Sequence, residues 1–157
     1  MQTRTALFPG SFDPFTVGHE SVVRRALPLF DKIIIGIGYN TTKSGFFDLT
    51  ARKQMIENTF ADEPQVVVET YTGLTVEFCE KQNANFILRG LRTATDFEYE
   101  RAIGQMNYLM QNEIETVFLL TKSEHSPISS TIVREIIKNK GDVSRFVPKN
   151  CGINRFL

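Results

Sequence analysis

The chain has 157 residues, with 18 basic and 18 acidic side chains, 41% hydrophobic residues and two cysteines. A chain of this length can bury roughly 68–70% of the surface that its unfolded form exposes, so its core needs no disulfide or metal staple. A formal net charge of zero provides no general attraction for nucleic acid or for an anionic membrane. We therefore expect one globular domain, residues 1–157, with no nucleic-acid or membrane partner.

The compartment is predicted from the N-terminal residues and the cysteines. Residues 1–14 lack the apolar core of a secretory signal, and no run approaches the roughly 18 apolar residues of a membrane span. Cys79 and Cys151 stand far apart, without the spacing of a zinc site. We expect a cytoplasmic protein with two buried or idle thiols.

Strand and helix signals alternate along the chain. Short apolar or β-branched runs predict strands at residues 5–8, 32–38, 65–70, 85–88 and 116–120. Helical spacing predicts helices at residues 19–30, 50–60, 74–82, 96–110 and 129–138. Residues 32–38, KIIIGIG, are apolar almost throughout, as expected of a parallel strand covered on both faces. The pattern predicts a doubly wound α/β fold, with ligands beyond the carboxyl ends of the strands.

The loop after the first predicted strand carries the first chemical signal. It reads PGSFDPFTVGH over residues 9–19 and leads into a helix. Gly10 and Gly18 allow a ligand to approach the backbone, and the helix N-terminus favours an anion. The plainer interpretation is an ordinary turn between strand and helix.

Two further motifs follow the fourth and fifth predicted strands. The first is RGLR at residues 89–92 with DFEYE at residues 96–100, and the second is ISSTIVR at residues 128–134. Without other signals, the first motif would be a solvated charged face and the second a hydroxyl cap of a helix.

Together these three motifs resemble the nucleotidylyltransferase superfamily, whose [T/H]xGH tetrad corresponds to residues 16–19. RGLR with DFEYE, together with ISSTxxR, is similar to the phosphopantetheine adenylyltransferase family. The resemblance implies a Rossmann-like five-stranded parallel sheet with helices on both faces. It also implies transfer of AMP from ATP to 4′-phosphopantetheine, which yields dephospho-coenzyme A and pyrophosphate in coenzyme A biosynthesis.

The resemblance assigns roles residue by residue. His19 and Lys43 would be catalytic, with His19 stabilising the transition state. The acceptor would be bound by Ser11, Lys43, Thr75 and Arg89. The implied ATP-binding residues are Ser11, Phe12, His19, Gly90, Leu91, Arg92, Glu100, His125, Ser126, Pro127, Ile128, Ser129, Ser130 and Thr131.

This sequence departs from the family pattern at three of these positions. Ser11 replaces a common Thr, His125 replaces a frequent Trp or Tyr, and Thr75 replaces a larger apolar residue. None of the three changes touches the phosphate chemistry, so we expect them to affect affinity more than activity.

The reaction suits the residues present. An acceptor phosphate is already an anion, so the enzyme need not supply a nucleophile or a strong base. Positioning and charge neutralisation remain as its tasks. We expect Mg²⁺ to arrive with ATP, held mainly by phosphates and waters, with no metal site of the protein's own. Dephospho-coenzyme A or coenzyme A would bind as product or feedback ligand.

Two segments bear on assembly. Apolar residues on helix 96–110 cover more than one stripe, so this helix either contacts another subunit or is buried in its own core. The family resemblance favours a homo-oligomer, usually a hexamer. Residues 150–157 carry no motif, and we interpret them as a surface tail or an interface strap.

Two other functions stay open from the sequence. The first is another nucleotidylyltransferase, acting on nicotinate mononucleotide or transferring a cytidylyl group. The second is a nucleotide-sensing module without catalysis, which would not need the pair His19 and Lys43.

Overall fold

The computed structural model describes residues 3–157. Five strands, β1 to β5, span Thr5–Gly10, Lys32–Gly38, Val66–Tyr71, Phe86–Leu91 and Glu115–Leu120. Five α-helices, α1 to α5, span Val17–Ala26, Leu49–Thr59, Thr75–Gln82, Ala94–Met110 and Ser130–Lys138. Short 3₁₀ helices lie at Leu27–Leu29, Ser123–His125 and Ile153–Arg155.

The strands form one parallel sheet in the order β3-β2-β1-β4-β5. Alternate side chains of β2 enter different cores: Ile33 and Ile35 pack with helices α1 and α2, whereas Ile34 packs with α3 on the other face. Helices thus cover both faces, and the predicted Rossmann-like α/β fold is confirmed. The order of the strands reverses between β1 and β4, which is where such sheets bind ligands.

Element boundaries differ from the prediction at α1 and at the end of β4. Helix α1 begins at Val17 because Thr16 caps it, and it ends at Ala26. Pro28 then stands in the 3₁₀ segment, where its missing N–H prevents the α-helix from continuing. Strand β4 extends beyond residue 88, because Arg89 and Gly90 continue the pairing with β5.

The C-terminal segment, residues 150–157, corrects our interpretation of it as a surface tail. Cys151 and Ile153 are buried in a third apolar cluster with Phe47, with Met55 of α2 and with Val133 of α5, and Phe156 packs against it. Cys151 and Ile153 therefore belong to the core, whereas Leu157 is 63% exposed. Cys79 and Cys151 are both free and buried, as predicted.

Helix α4 contains no buried residue, so it is not sunk in its own core. No helix within residues 3–157 is both long and apolar enough to cross a membrane.

Candidate active site

A cleft opens at the carboxyl ends of β1 and β4. We call it the main cleft, and it has a volume of about 320 Å³. Its walls come from the β1–α1 loop (residues 11–16), the end of β4, the start of α4, and the four residues His125, Ile128, Ser129 and Ser130. A side cavity of about 270 Å³ adjoins it and reaches Tyr71 and Thr75. The two cavities share Ser11, Arg89 and Glu100 in their walls.

The position of His19 is set by the cap of helix α1. The Thr16 hydroxyl accepts a hydrogen bond from the His19 backbone N–H at 3.4 Å, and the Thr16 backbone N–H donates to Nδ1 of His19 at 3.0 Å. This reciprocal pair is a capping box in which histidine takes the place of the usual Glu or Gln. The tetrad at residues 16–19 is therefore a device that fixes an imidazole at a helix N-terminus.

The environment of His19 keeps its ring neutral. The imidazole lies among the rings of Phe8, Phe12 and Phe15, at centroid distances of 6.2, 5.1 and 5.2 Å. Burial, followed by the charges of Arg89 and Arg92, lowers the pKa of His19 to about 3. Because Nδ1 accepts from the backbone, the proton of the neutral ring sits on Nε2. His19 is therefore a hydrogen-bond donor at Nε2 in the main cleft.

Gly10 is required by the shape of the neighbouring loop. Phe12 adopts a left-handed conformation with φ of 48°, and its ring lies where a side chain at Gly10 would project. A Cβ on Gly10 would come within 2.8 Å of that ring, which is closer than packed atoms approach.

Two arginines face the main cleft, each beside a carboxylate. Arg89 donates to both oxygens of Glu100 at 2.8 and 2.6 Å. Arg92 donates to Asp96 at 3.2 Å, an i,i+4 contact across the start of α4. Fork-shaped guanidinium groups suit phosphate, but here each already has an anionic partner.

The N-terminus of helix α5 also borders the main cleft. The Ser129 hydroxyl accepts from the Ile132 N–H at 3.2 Å and so caps the helix, as predicted. Ser130 uses its hydroxyl to donate to the Pro14 carbonyl at 2.7 Å, which ties the helix to the β1–α1 loop. The first backbone N–H groups of a helix have no partner within it and favour an anion there.

His125 lies beside the N-terminus of α1, in the 3₁₀ helix before α5. Its side chain is 20% exposed, and Nδ1 is buried without a hydrogen-bond partner among the described residues. Its Cβ is 3.7 Å from the position that a Cβ on Gly18 would take, so its backbone packs closely on α1.

The structure brings together most, but not all, of the residues that the sequence singled out. The main cleft is lined by Ser11, Phe12, His19, Arg89, Gly90, Arg92, Glu100, His125, Ile128, Ser129 and Ser130, and Thr75 lines the side cavity. Leu91, Ser126, Pro127 and Thr131 line neither cavity.

Lys43 stands apart from both cavities. It lies in segment 39–47, the Lys43 loop, of which residues 39–46 are exposed, and it lines an open depression together with Phe156. Its backbone N–H donates to the Asn40 carbonyl at 3.3 Å.

Sequence reasoning did not single out several residues in and around the site, among them Thr121, Asp13 and Arg52. Thr121, directly after β5, lines the main cleft, and its place after a parallel strand was a usable signal. Asp13 and Arg52 are buried and hydrogen-bonded around the β1–α1 loop. Asp13 stood within the loop motif, whereas nothing local marked Arg52.

The residues of the cleft offer little to a metal ion by themselves. No group of three or more His, Cys, Asp or Glu within residues 3–157 is placed to hold one. The two carboxylates that line the main cleft, Asp96 and Glu100, are bound to arginines. A metal ion at this site would need phosphate oxygens and waters as ligands.

Comparison with known proteins shows the family to which this chain belongs. A family model for cytidylyltransferase-like domains matches residues 7–136. The phosphopantetheine adenylyltransferase of Flavobacterium psychrophilum is 53% identical over 146 residues, which cover 93% of this chain and 96% of the relative. That of Flavobacterium johnsoniae is 53% identical over 145 residues, 92% of this chain and 95% of the relative. The chain belongs to the phosphopantetheine adenylyltransferase family.

A solved structure supports the same fold. The bifunctional NMN adenylyltransferase/ADP ribose pyrophosphatase from Francisella tularensis superposes with a TM-score of 0.68 at 20% sequence identity. The match covers 95% of this chain but 46% of that one, so the chain spans about half the length of that structure. This member of the phosphopantetheine adenylyltransferase family therefore shares its fold with a nucleotide-transferring enzyme.

Proposed function

We propose that this chain transfers AMP from ATP to 4′-phosphopantetheine, forming dephospho-coenzyme A and releasing pyrophosphate. Membership of the family supports this reaction. The observation that carries it is the pair of adjoining cavities, which share Ser11 and Arg89 in their walls. Two separate volumes that meet at a polar junction suit a donor and an acceptor whose reacting phosphates must touch.

In the reaction, an oxygen of the acceptor phosphate attacks the α-phosphorus of ATP. The new P–O bond forms as the bond to pyrophosphate breaks, and no proton has to be removed from the acceptor. Negative charge builds up on the oxygens around the α-phosphorus and on the departing pyrophosphate. The protein contributes by holding both phosphates in line and by offering hydrogen-bond donors where the charge develops.

His19 would donate from Nε2 to an oxygen of the α-phosphate. Its Nδ1 is occupied by the Thr16 N–H, so the ring is fixed and needs no reorientation during the reaction. A pKa of about 3 keeps it a neutral donor and makes it unsuited to act as a general acid at neutral pH.

The remaining donors divide between the two ligands. Arg92, Ser129 and Ser130 would hold the β- and γ-phosphates at the N-terminus of α5. Arg89 would hold the acceptor phosphate at the junction of the cavities, and Glu100 would keep its guanidinium aimed there. Thr75, whose hydroxyl lies 3.0 Å from that of Tyr71, would border the pantetheine arm in the side cavity.

Lys43 would join the phosphates by movement of its loop. The side chain is exposed, and a lysine is a flexible point charge that can follow a developing negative charge. His125 would lie against the adenine at the other end of the main cleft.

Three further properties belong to the proposal. Mg²⁺ would enter as part of the ATP substrate, and coenzyme A or dephospho-coenzyme A would compete for the same two cavities. The chain would work as a homo-oligomer, for which a hexamer is our prediction. A cytoplasmic location stays a prediction from the cysteine usage.

The test is pyrophosphate release by the purified chain with ATP, Mg²⁺ and 4′-phosphopantetheine. CTP replaces ATP in one control, and nicotinate mononucleotide replaces the acceptor in another. We expect release only when ATP and phosphopantetheine are both present. Faster release with a rival substrate would assign another transfer reaction, and a folded chain that binds ATP without turnover would be a nucleotide sensor.

A further inference from the structure

Asp13 connects the β1–α1 loop to the Lys43 loop. Its side chain is buried, with the residue 8% exposed. One carboxylate oxygen accepts from the Phe46 N–H at 2.7 Å, and the other accepts from the Phe47 N–H at 2.8 Å. No ion pair among residues 3–157 includes Asp13. The backbone of the Lys43 loop is therefore its partner.

Gly45 shows how tightly the two loops meet. A Cβ at this position would lie 2.8 Å from the Phe47 carbonyl oxygen, 2.9 Å from a carboxylate oxygen of Asp13 and 3.2 Å from a guanidinium nitrogen of Arg52. The chain passes between these two side chains with no room for a side chain of its own. The guanidinium group of Arg52, a residue only 6% exposed, lies beside Gly45 and donates to the Ser11 carbonyl at 2.9 Å.

The β1–α1 loop is itself held from a third direction. Arg134 of helix α5 donates to the Asp13 carbonyl at 2.7 Å, and Ser130 donates to the Pro14 carbonyl. Asp13 thus belongs to a frame that also fixes Ser11, Phe12 and the N-terminus of α5.

The apex of the Lys43 loop is held by turn contacts within the loop itself, such as the hydrogen bond from the Lys43 N–H to the Asn40 carbonyl at 3.3 Å. At its start, the Tyr39 N–H donates to the Tyr71 carbonyl at 3.1 Å, and the Asn40 side chain accepts from Thr42. At its end, Phe46 and Phe47 bind Asp13. Lys43 lies between these anchors, exposed, so the anchors set the range over which its ammonium group moves.

We infer that Asp13 is a positioning residue for the transfer of AMP and that it acts through Lys43. Its carboxylate fixes the base of the Lys43 loop to the loop that carries Ser11 and Phe12. Movement of the apex therefore brings Lys43 to the reacting phosphates instead of into solvent. This inference rests on the proposed function, in which Lys43 contacts those phosphates.

The test is a double-mutant cycle of wild type, Asp13→Asn, Lys43→Ala and the double variant, assayed by pyrophosphate release. Asn keeps the size of the side chain but presents an N–H group to one of the two backbone donors. We expect Asp13→Asn to lower kcat at least about tenfold when Lys43 is present and less than about threefold when residue 43 is Ala, because interacting residues are not additive. The KM for ATP should change less than about threefold in either background.

Two controls separate positioning from general loss of structure. Asp142→Asn makes the same change at a carboxylate that also accepts from a backbone N–H, that of Ser144 at 2.9 Å, and it should leave kcat unchanged. Gly45→Ala disturbs the same junction from the other loop and should reproduce the pattern of Asp13→Asn. Equal losses of kcat with and without Lys43 overturn the inference while leaving the proposed function intact.

Amide hydrogen exchange of the wild-type protein provides a measurement that does not depend on a variant. The Phe46 and Phe47 amides, which donate to Asp13, should exchange more slowly than those of Thr41 and Ser44. Equally fast exchange at all four amides overturns the inference even if the variants fail to fold. A wild-type chain without turnover on ATP and phosphopantetheine removes the proposed function, and the inference with it.

Discussion

At the scale of single residues, His19 shows how a sequence motif becomes a chemical group. The Thr16 cap orients the ring through Nδ1, and the surrounding phenyl rings keep it uncharged. The motif predicted a histidine at the phosphates. It did not predict the tautomer, because that depends on a hydrogen bond formed only when helix α1 is in place.

Replacement of this donor should affect the chemical step. We expect His19→Ala to lower kcat by about 10²–10³, as loss of one donor to a developing oxyanion does, while ATP binding changes little. Steady-state kinetics with calorimetric ATP binding measures both quantities. A kcat close to that of the wild type would remove His19 from the reaction.

The depressed pKa of His19 also predicts how stability depends on pH. In the unfolded chain an ordinary histidine binds a proton below about pH 6.5, whereas folded His19 does so only near pH 3. Between these values the unfolded state holds more protons, so stability falls as the pH falls. From pH 7 to pH 5 the loss from this residue is about 2 kcal/mol in the free energy of unfolding.

Urea denaturation of wild type and His19→Gln at the two pH values measures this loss. Gln can keep the capping box but does not titrate, so the variant should lose less stability on acidification. Equal losses in the two proteins would show that His19 titrates normally.

Arg89 stands where the two cavities meet, and its fork geometry should matter. We expect Arg89→Lys to raise the KM for phosphopantetheine at least about tenfold, because a lysine cannot pair with both oxygens of Glu100 and donate to a phosphate as well. Arg101→Lys is the matched control, since Arg101 pairs with Glu98 on the exposed face of α4. An unchanged acceptor KM in Arg89→Lys would place the phosphate elsewhere.

At the scale of elements, sequence periodicity predicted every strand and α-helix in its correct order. The predicted end of β4 was wrong, because the residues that follow it in the sequence resemble a loop. Arg89 and Gly90 carry turn-like residue types, yet they pair with Phe118 and Leu119 as the end of β4. Pairing with a neighbouring strand is a long-range contact, and local pattern does not contain it.

The prediction for the C-terminal segment was wrong for the same reason, since its contacts are long-range. Residues 150–157 contain four apolar side chains but no helical or strand period, and their contacts with distant residues bury Cys151 and Ile153. We expect Ile153→Ala, at a residue 6% exposed, to lower the free energy of unfolding by about 2–5 kcal/mol. Leu157→Ala, at a residue 63% exposed, should change it by less than about 0.5 kcal/mol. If urea denaturation shows equally small effects for Ile153→Ala and Leu157→Ala, the side chain of Ile153 is not part of the core.

At the scale of the whole molecule, helix α4 presents an apolar surface that the rest of residues 3–157 leaves exposed. Tyr99, Met106, Leu109 and Met110 are all at least half exposed, and a contiguous apolar surface of this kind marks a contact with another protein. We predict a homo-oligomer formed through α4, with a mass by light scattering well above the 17.9 kDa of one chain. Leu109→Glu should reduce that mass, and a wild-type mass of one chain would contradict the prediction.

In the proposed reaction, AMP passes directly from ATP to the acceptor phosphate, without a covalent intermediate on the protein. Rapid quench after mixing the enzyme with ATP labelled at the α-phosphorus tests it directly. Without acceptor, we expect neither labelled protein nor pyrophosphate; with phosphopantetheine, label should enter dephospho-coenzyme A as pyrophosphate appears. Labelled protein, or pyrophosphate released before the acceptor is added, would show that AMP does not pass directly to the acceptor.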